Sequence, residues 1–148
     1  MISFKTYLEE SKHIEVNGKS IPITLPIRAK EDKLVAINLN KFDNAFKRNS
    51  SYYIGKGGLG SIKGRYERFE LFVLGGKEEL APGVVIDHKP ATSIEASEVS
   101  VDKDGNVMFI NGRHRYAWLR DNNISNIQVA MDNESIKNAR KFILLNKE

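Results

Sequence analysis

The residues with the clearest chemistry lie in one run, NGRHRYAWLR, residues 111–120. Gly112 is followed at once by Arg113, His114 and Arg115, then by Tyr116, Ala117, Trp118 and Leu119, which have the character of a packed helix. Val107, Phe109 and Ile110 ahead of them read as a buried strand. A strand–turn–helix of this kind sets unpaired backbone N–H groups and the positive end of the helix dipole beside the cations. An anion is favoured there, and phosphate is the usual one. Arg113 and Arg115 oppose the dipole, so a sequence selected only to fold would place Asp or Glu instead. The pair therefore asks for a compensating anion, and Gly112 would let the backbone approach it closely. The alternative is a turn whose arginines face solvent or pair with Asp102, Asp104 or Asp121.

A second stretch, YYIGKGGLGSIKGRYERF at residues 52–69, sets Gly55, Gly57, Gly58, Gly60 and Gly64 among Lys56, Lys63, Arg65 and Arg68. It is not a P-loop, because Gly-x-x-x-x-Gly-Lys-[Ser/Thr] is absent, and no strong strand precedes it as in a Rossmann turn. A mobile loop of this composition suits folding over a bound nucleotide or tracking a nucleic-acid backbone, with Tyr52 or Tyr53 as a stacking surface. The competing reading is a solvated surface loop. Arg65 would join Arg113 and Arg115 on one phosphate cluster, and Glu67 is either a general base or a helix-start acid. Asp102 and Asp104 suit turn chemistry first and Mg²⁺ beside phosphates second. His13 and His88 read as surface residues, and no His/Asp/Glu spacing marks a metal site.

These segments need a scaffold, and 148 residues with 41% hydrophobic and 28% charged side chains supply one domain with one core. There is no cysteine, so disulfides and thiolate metal sites are excluded. Apolar runs are too short to span a bilayer, and the opening lacks a signal-peptide core, so a cytoplasmic location is expected. The net charge of +4 is uneven. Residues 40–68 hold seven basic side chains against Asp43 and Glu67, residues 69–111 are acidic, and the remainder is basic again. Two basic segments brought together would form an anion site.

The element pattern is mixed. Ser3 caps a first helix carrying Phe4, Tyr7 and Leu8. Ile14 and Val16, then Ile21, Ile23 and Leu25, alternate around Asn17-Gly18 as a hairpin, with Pro22 and Pro26 demoting its second strand to an edge or an irregular strand. Leu34–Ile37 is a strand, and Asn40 caps a helix through Phe42, Ala45 and Phe46. Arg65–Leu74 is a helix with Phe69, Phe72 and Val73 inward and Gly75-Gly76 as its stop. Val84–Ile86 is a short strand, Glu98–Val101 and Val107–Ile110 form a second hairpin, and Arg113–Arg120 is helical. Ile127–Met131 is the last strand, followed by a helix from Asp132 or Asn133 to Asn146 with Ile136, Ala139, Phe142, Ile143 and Leu144 apolar. The class is α+β or α/β.

Over roughly residues 33–131 the chain resembles the ParB/sulfiredoxin superfamily. Gly112, His114 and Arg115 match its Gly-x-[His/Arg]-Arg turn, and Ala117 matches the small helix residue. Phe109-Ile110-Asn111 matches the strand leading in, and Ile127-Gln128-Val129 the strand leading out, with Gln128 where proline is usual. Residues 52–69 resemble the segment before the middle helix of small ParB-like proteins.

The resemblance implies an α+β mixed sheet with flanking helices. An N-terminal helix and hairpin (1–32) and a C-terminal helix (132–148) would bracket the family-like core. It implies binding of a nucleotide of the ATP or CTP class, optionally with Mg²⁺, and phosphoryl transfer or hydrolysis. Gly112 and the amides of Arg113 and His114 would line the phosphates, Arg115 would neutralise them, and His114 would hydrogen-bond a phosphate or orient a neighbour. Lys56, Lys63 and Arg65 would add charge, with Glu67 as base. DNA binding or cleavage by the same cations is the alternative, and a non-catalytic interaction protein a third. Sulfiredoxins carry a nucleophilic Cys where Arg113 stands, so sulfinic-acid reduction is excluded. Partitioning ParB proteins carry Glu there and append a helix-turn-helix domain, for which no room is expected. The opening MISFKTYLEE resembles those of small proteins of large tailed phages.

Overall fold

Alternating apolar residues around Asn17-Gly18 build the first hairpin, β1 (His13–Val16) and β2 (Lys19–Thr24), with Ile14 against Ile21 and both central residues of the turn at positive φ. The computed structural model describes residues 12–48 and 51–146. The helix expected from Ser3 lies outside them. β2 is not wholly an edge: β6 (Ile94–Glu95) joins it in parallel at Ile23 and Thr24, beyond Pro22, whose missing N–H costs nothing there.

The central sheet runs β3 (Lys33–Ala36), β9 (Gln128–Met131), β7 (Ser97–Val101), β8 (Val107–Asn111) in spatial order. β7 and β9 are parallel and the outer pairings antiparallel, so the sheet is mixed. β9 is buried at every position, as a central strand covered on both faces must be. The register slips between Glu98 and Val99, a bulge just before β8 delivers the chain to Gly112. A third pair, β4 (Gly76–Ala81) with β5 (Val84–His88), forms a separate ribbon. Only Val84–Ile86 of it was legible, because β4 reads GKEELA, with nothing apolar on alternate positions.

Among the described residues, four α-helices flank these strands: α1 (Leu39–Lys47), α2 (Arg65–Leu74), α3 (Arg113–Asp121) and α4 (Asn133–Lys141). The architecture is one small α+β domain with mixed sheets. Asn38, not Asn40, caps α1, its side chain accepting from the Lys41 amide. Asp132 caps α4 through the Ser135 amide. α4 stops at Lys141, five residues short of the sequence reading, because Ile143 turns left-handed at φ 60°. That turn sends Leu144 and Leu145 back to the sheet edge, where the Leu144 carbonyl accepts from Asn38 and Leu145 bridges Ile37.

Aromatic packing fastens α1 and α3 to β8. Phe42, Phe46, Phe109 and Tyr116 stand 4.6–6.0 Å apart, ring centre to ring centre. Each such pair contributes about 0.5–1.5 kcal/mol beyond the area it buries. Trp118 is core as its sequence context implies, 1% exposed, edge-on to Phe69 and donating its Nε1–H to Glu70 at 2.8 Å. It thereby locks α3 to α2.

Candidate functional site

A cleft of about 390 Å³ opens where α2 faces the start of α3, lined by Arg65, Arg68, Phe72, Asn111, His114 and Arg115 with Gly112 and Phe69 behind. On α2 the lining positions 65, 68, 69 and 72 recur at helical spacing, so one face of the helix supplies a whole wall. Phe72 was expected inward. It is 52% exposed and forms the apolar part of that wall. Glu67 sits in the first turn of α2 off this face and is exposed, so the geometry removes it as a base for chemistry in the cleft. Lys56 and Lys63 are exposed on the glycine-rich loop and do not line the cleft. The spacing of Arg65 and Arg68 with the two phenylalanines was the signal that could have shown this wall.

The opposite wall is the start of α3. Gly112 precedes the helix at φ 83°, no side chain caps it, and the first turn holds no acid. Among the described residues nothing accepts from the amides of Arg113, His114 or Arg115; the first helical bond is Tyr116 N–H to Gly112 O. Three donors and the dipole's positive end are thus left to whatever enters the cleft.

Gly112 does its work differently from the sequence reading. A Cβ there would stand 2.6 Å from the Arg115 Nη2 and 2.8 Å from the Ser97 hydroxyl. The room left by the absent side chain is taken from within, by the Arg115 guanidinium folded under the turn. Ser97 donates to the Gly112 carbonyl at 2.7 Å and fixes the turn from below. Ser97 was not visible as a support in the sequence.

Arg115 donates from Nη2 to the Ala96 carbonyl at 3.3 Å, and its buried Nε has no partner. Burial lowers its pKa, opposed by the charges of Glu95 and Glu98. Arg113 does not line the cleft, and its guanidinium donates to the Tyr52 carbonyl at 3.0 Å. Neither arginine pairs with Asp102, Asp104 or Asp121. The Nε2 of His114 accepts from the Ile62 amide at 3.2 Å, which requires that nitrogen to be unprotonated and puts the proton on Nδ1. Burial, then the charges of Arg113 and Arg65, hold His114 below its ordinary 6.5.

The glycine-rich segment does lie beside this turn, but it is tied rather than free. It forms a tight turn at Lys56–Gly58 closed by a bridge between Gly55 and Leu59. Asp121 accepts from the Gly57 amide and from the Tyr66 hydroxyl, both at 2.8 Å. Tyr53 is committed as well: its ring packs on Phe46 and its hydroxyl donates to Asp43 at 2.7 Å. Burial and that bond push the Tyr53 pKa up to about 12. It cannot stack on a base, which leaves Tyr52, 54% exposed.

At the far end of α3, Arg120 is held by Asp43 at 3.1 Å, Asp121 at 2.9 Å and the Ile54 carbonyl at 2.7 Å, while the Tyr116 hydroxyl donates to Asp43 at 2.6 Å. Burial alone would lower the Arg120 pKa; the two carboxylates outweigh it and raise it. This cluster escaped the sequence reading, its members being far apart in the chain.

Asp102 accepts from the amides of Asp104 and Asn106, both at 2.9 Å, so its carboxylate serves the β7–β8 turn rather than a cation. Among the described residues no group of three His, Asp or Glu side chains could hold a metal ion, and no helix is long and apolar enough to cross a membrane.

No protein-family model matches the chain, and no curated protein or solved structure shows significant similarity to it.

Proposed function

We propose that the cleft between α2 and α3 binds the phosphates of a nucleotide of the ATP or CTP class, within a domain of ParB/sulfiredoxin type. The start of α3 carries this reading: three amides without acceptors, no acid in the first turn, and Arg115 with Arg65 on the same cleft. The amides of Arg113, His114 and Arg115 donate to phosphate oxygens, Arg65 adds charge from the other wall, where Arg68 is already paired with Glu78 at 2.7 Å, and Phe72 offers an apolar surface to the sugar or base. Mg²⁺ would arrive on the nucleotide's own phosphates. A phosphotransferase or NTPase on this cleft would use Arg115 and Arg65 to stabilise charge on the transferring group, with the Nδ1–H of His114 as a further donor. Glu67 leaves the reading.

The test is a thermal-shift series with ATP, CTP, GTP and UTP, with and without Mg²⁺. A true ligand at a hundred times its Kd stabilises by about 2.7 kcal/mol. Arg65→Ala should remove that response while leaving the unliganded melting temperature unchanged. If no nucleotide shifts the melting temperature, the reading fails. Lys56 and Lys63, exposed on the loop beside α3, favour a second reading in which the cleft takes a phosphate of DNA. Duplex binding that falls steeply with salt and ignores competing nucleotide would select it.

A further inference from the structure

β3 is an edge of the central sheet, and the described chain covers only part of that edge. The turn at Ile143 brings the chain back beside it, where the Asn38 amide donates to the Leu144 carbonyl and the Asn146 amide to the Ala36 carbonyl. Strand alternation points the N–H and C=O of Leu34 to the same side, and among the described residues nothing meets them. Proteins blunt such an edge with charge or cover it with a helix or loop. Here the surface beside Leu34 is hollow. A groove of about 710 Å³ is lined by Leu34, Val35, Ile143 and Leu145, and a second of about 460 Å³ shares Leu34, Val35 and Arg140 with it and reaches Ile136 on α4. Ile143 is 56% exposed there. The charge around the two hollows has one sign. Lys12, Lys33, Lys137 and Arg140 line them, no carboxylate is among the lining residues, and none of the four cations makes a salt bridge with a described residue.

We propose that residues 1–11 of this same chain, MISFKTYLEES, fold back over the groove and cover the β3 edge. Position, length and chemistry choose this occupant. The segment joins the described chain at Lys12, which itself lines the groove, so it reaches the hollow without crossing any other surface. The lining strand advances about 10 Å from Lys33 to Ala36 at 3.3 Å per residue. The helix expected from Ser3, taken to Glu10, spans about 12 Å and matches it. Phe4, Tyr7 and Leu8 share one face of that helix and suit Leu34, Val35, Ile143 and Leu145. Glu9 and Glu10 carry the carboxylates that the cationic lining lacks. Attachment favours the chain's own segment over a free peptide, because a short tether holds it at an effective concentration on the order of millimolar. The inference is independent of the α2–α3 cleft and of what binds there.

The chain has no cysteine, so an engineered disulfide reads the contact directly. Leu8→Cys with Ile143→Cys should cross-link within one chain under mild oxidation, at least tenfold faster than Leu8→Cys with Met108→Cys. Met108 is 54% exposed, much as Ile143 is, but lies on β8 at the opposite edge of the sheet. Adding Glu9→Lys with Glu10→Lys should slow the Ile143 cross-link, and about 1 M salt should erase that difference. In the cysteine-free chain, Phe4→Asp with Leu8→Asp should lower the melting temperature by several degrees. Equal rates for the two cysteine pairs overturn the proposal. So does a disulfide that forms only between two chains, which gives the groove to a second copy, or a melting temperature that ignores Phe4→Asp with Leu8→Asp.

Discussion

The two ends of α3 carry the same kind of residue in opposite circumstances. At its C-terminal end Arg120 is enclosed by two carboxylates and a carbonyl, and those carboxylates are themselves saturated by Tyr53, Tyr66, Tyr116 and the Gly57 amide. At its N-terminal end Arg115 has one long bond to a carbonyl, no carboxylate partner, and three neighbouring amides with nothing to donate to; each guanidinium keeps one buried nitrogen without a partner, Nε in Arg115 and Nη2 in Arg120. A cation at the C-terminal end of a helix is where the dipole wants it; one at the N-terminal end is not. The difference separates charge that serves the fold from charge held ready for a ligand.

The saturated end should fail hardest when broken. Asp43→Ala removes the acceptor of Tyr53, Tyr116 and Arg120 together and weakens the hold on a largely buried guanidinium, which keeps Asp121 alone as its carboxylate. The expected loss is about 3 kcal/mol, read as a lower denaturant midpoint, with binding at the other end spared wherever the protein remains folded. A loss within the noise would mean that Asp121 alone satisfies Arg120.

Gly112→Ala should act next. The left-handed backbone at φ 83° and the crowding against Arg115 and Ser97 together cost about 2 kcal/mol. Nucleotide response should also drop, because Arg115 must move. Gly112→Ala with full stability and full response would show that the turn has slack that the distances do not suggest.

Arg65→Glu probes the ready charge by itself. Arg65 is exposed, so stability should change by under about 0.5 kcal/mol while the nucleotide-induced shift disappears. An unchanged ligand response would move the site off α2.

The smallest effect is a titration. His114 is held below 6.5, so the folded chain resists a proton that the unfolded chain accepts. Stability is therefore full above about pH 6.5 and falls as pH drops below it, until the folded imidazole protonates too. Protonation also removes the acceptor of the Ile62 amide. Nitrogen-detected NMR should show the His114 midpoint below 6.5, Ile62 amide protection lost with it, and the midpoint raised by a bound anion. Asp121 responds lower on the scale: although burial raises its pKa, bonds from Arg120, Tyr66 and Gly57 lower it below the usual carboxylate value. The stability it supplies is present above the ordinary carboxylate range and is lost as pH falls through its own depressed pKa.

What could be read ahead of the structure followed the reach of the signal. α3, the strands around it and the Asn17-Gly18 hairpin announce themselves locally, through apolar period and turn chemistry. The cluster at Arg120 does not, because Asp43 lies 77 residues away and nothing near either one hints at the other. β4 stayed hidden because an exposed ribbon needs no apolar alternation, and α4 was overextended because Phe142, Ile143 and Leu144 suit a helix while the sheet edge claims them. At the site, the turn and Arg65 were legible. The inward-folded Arg115, the diverted Arg113 and the exposed Phe72 were not, since side-chain direction depends on neighbours the local sequence does not name.

Trp118 is the only tryptophan, and its indole bridges α3 to Glu70 on α2. Those two helices are the cleft's walls, so the chain carries its own optical gauge of their separation. Any event that parts them must break the indole's bond and admit water to a side chain now 1% exposed. The emission would shift to the red and become accessible to a soluble quencher, whereas a ligand that draws the walls together would leave its colour unchanged and shield it. The motion of the cleft is open to a fluorimeter with no label attached.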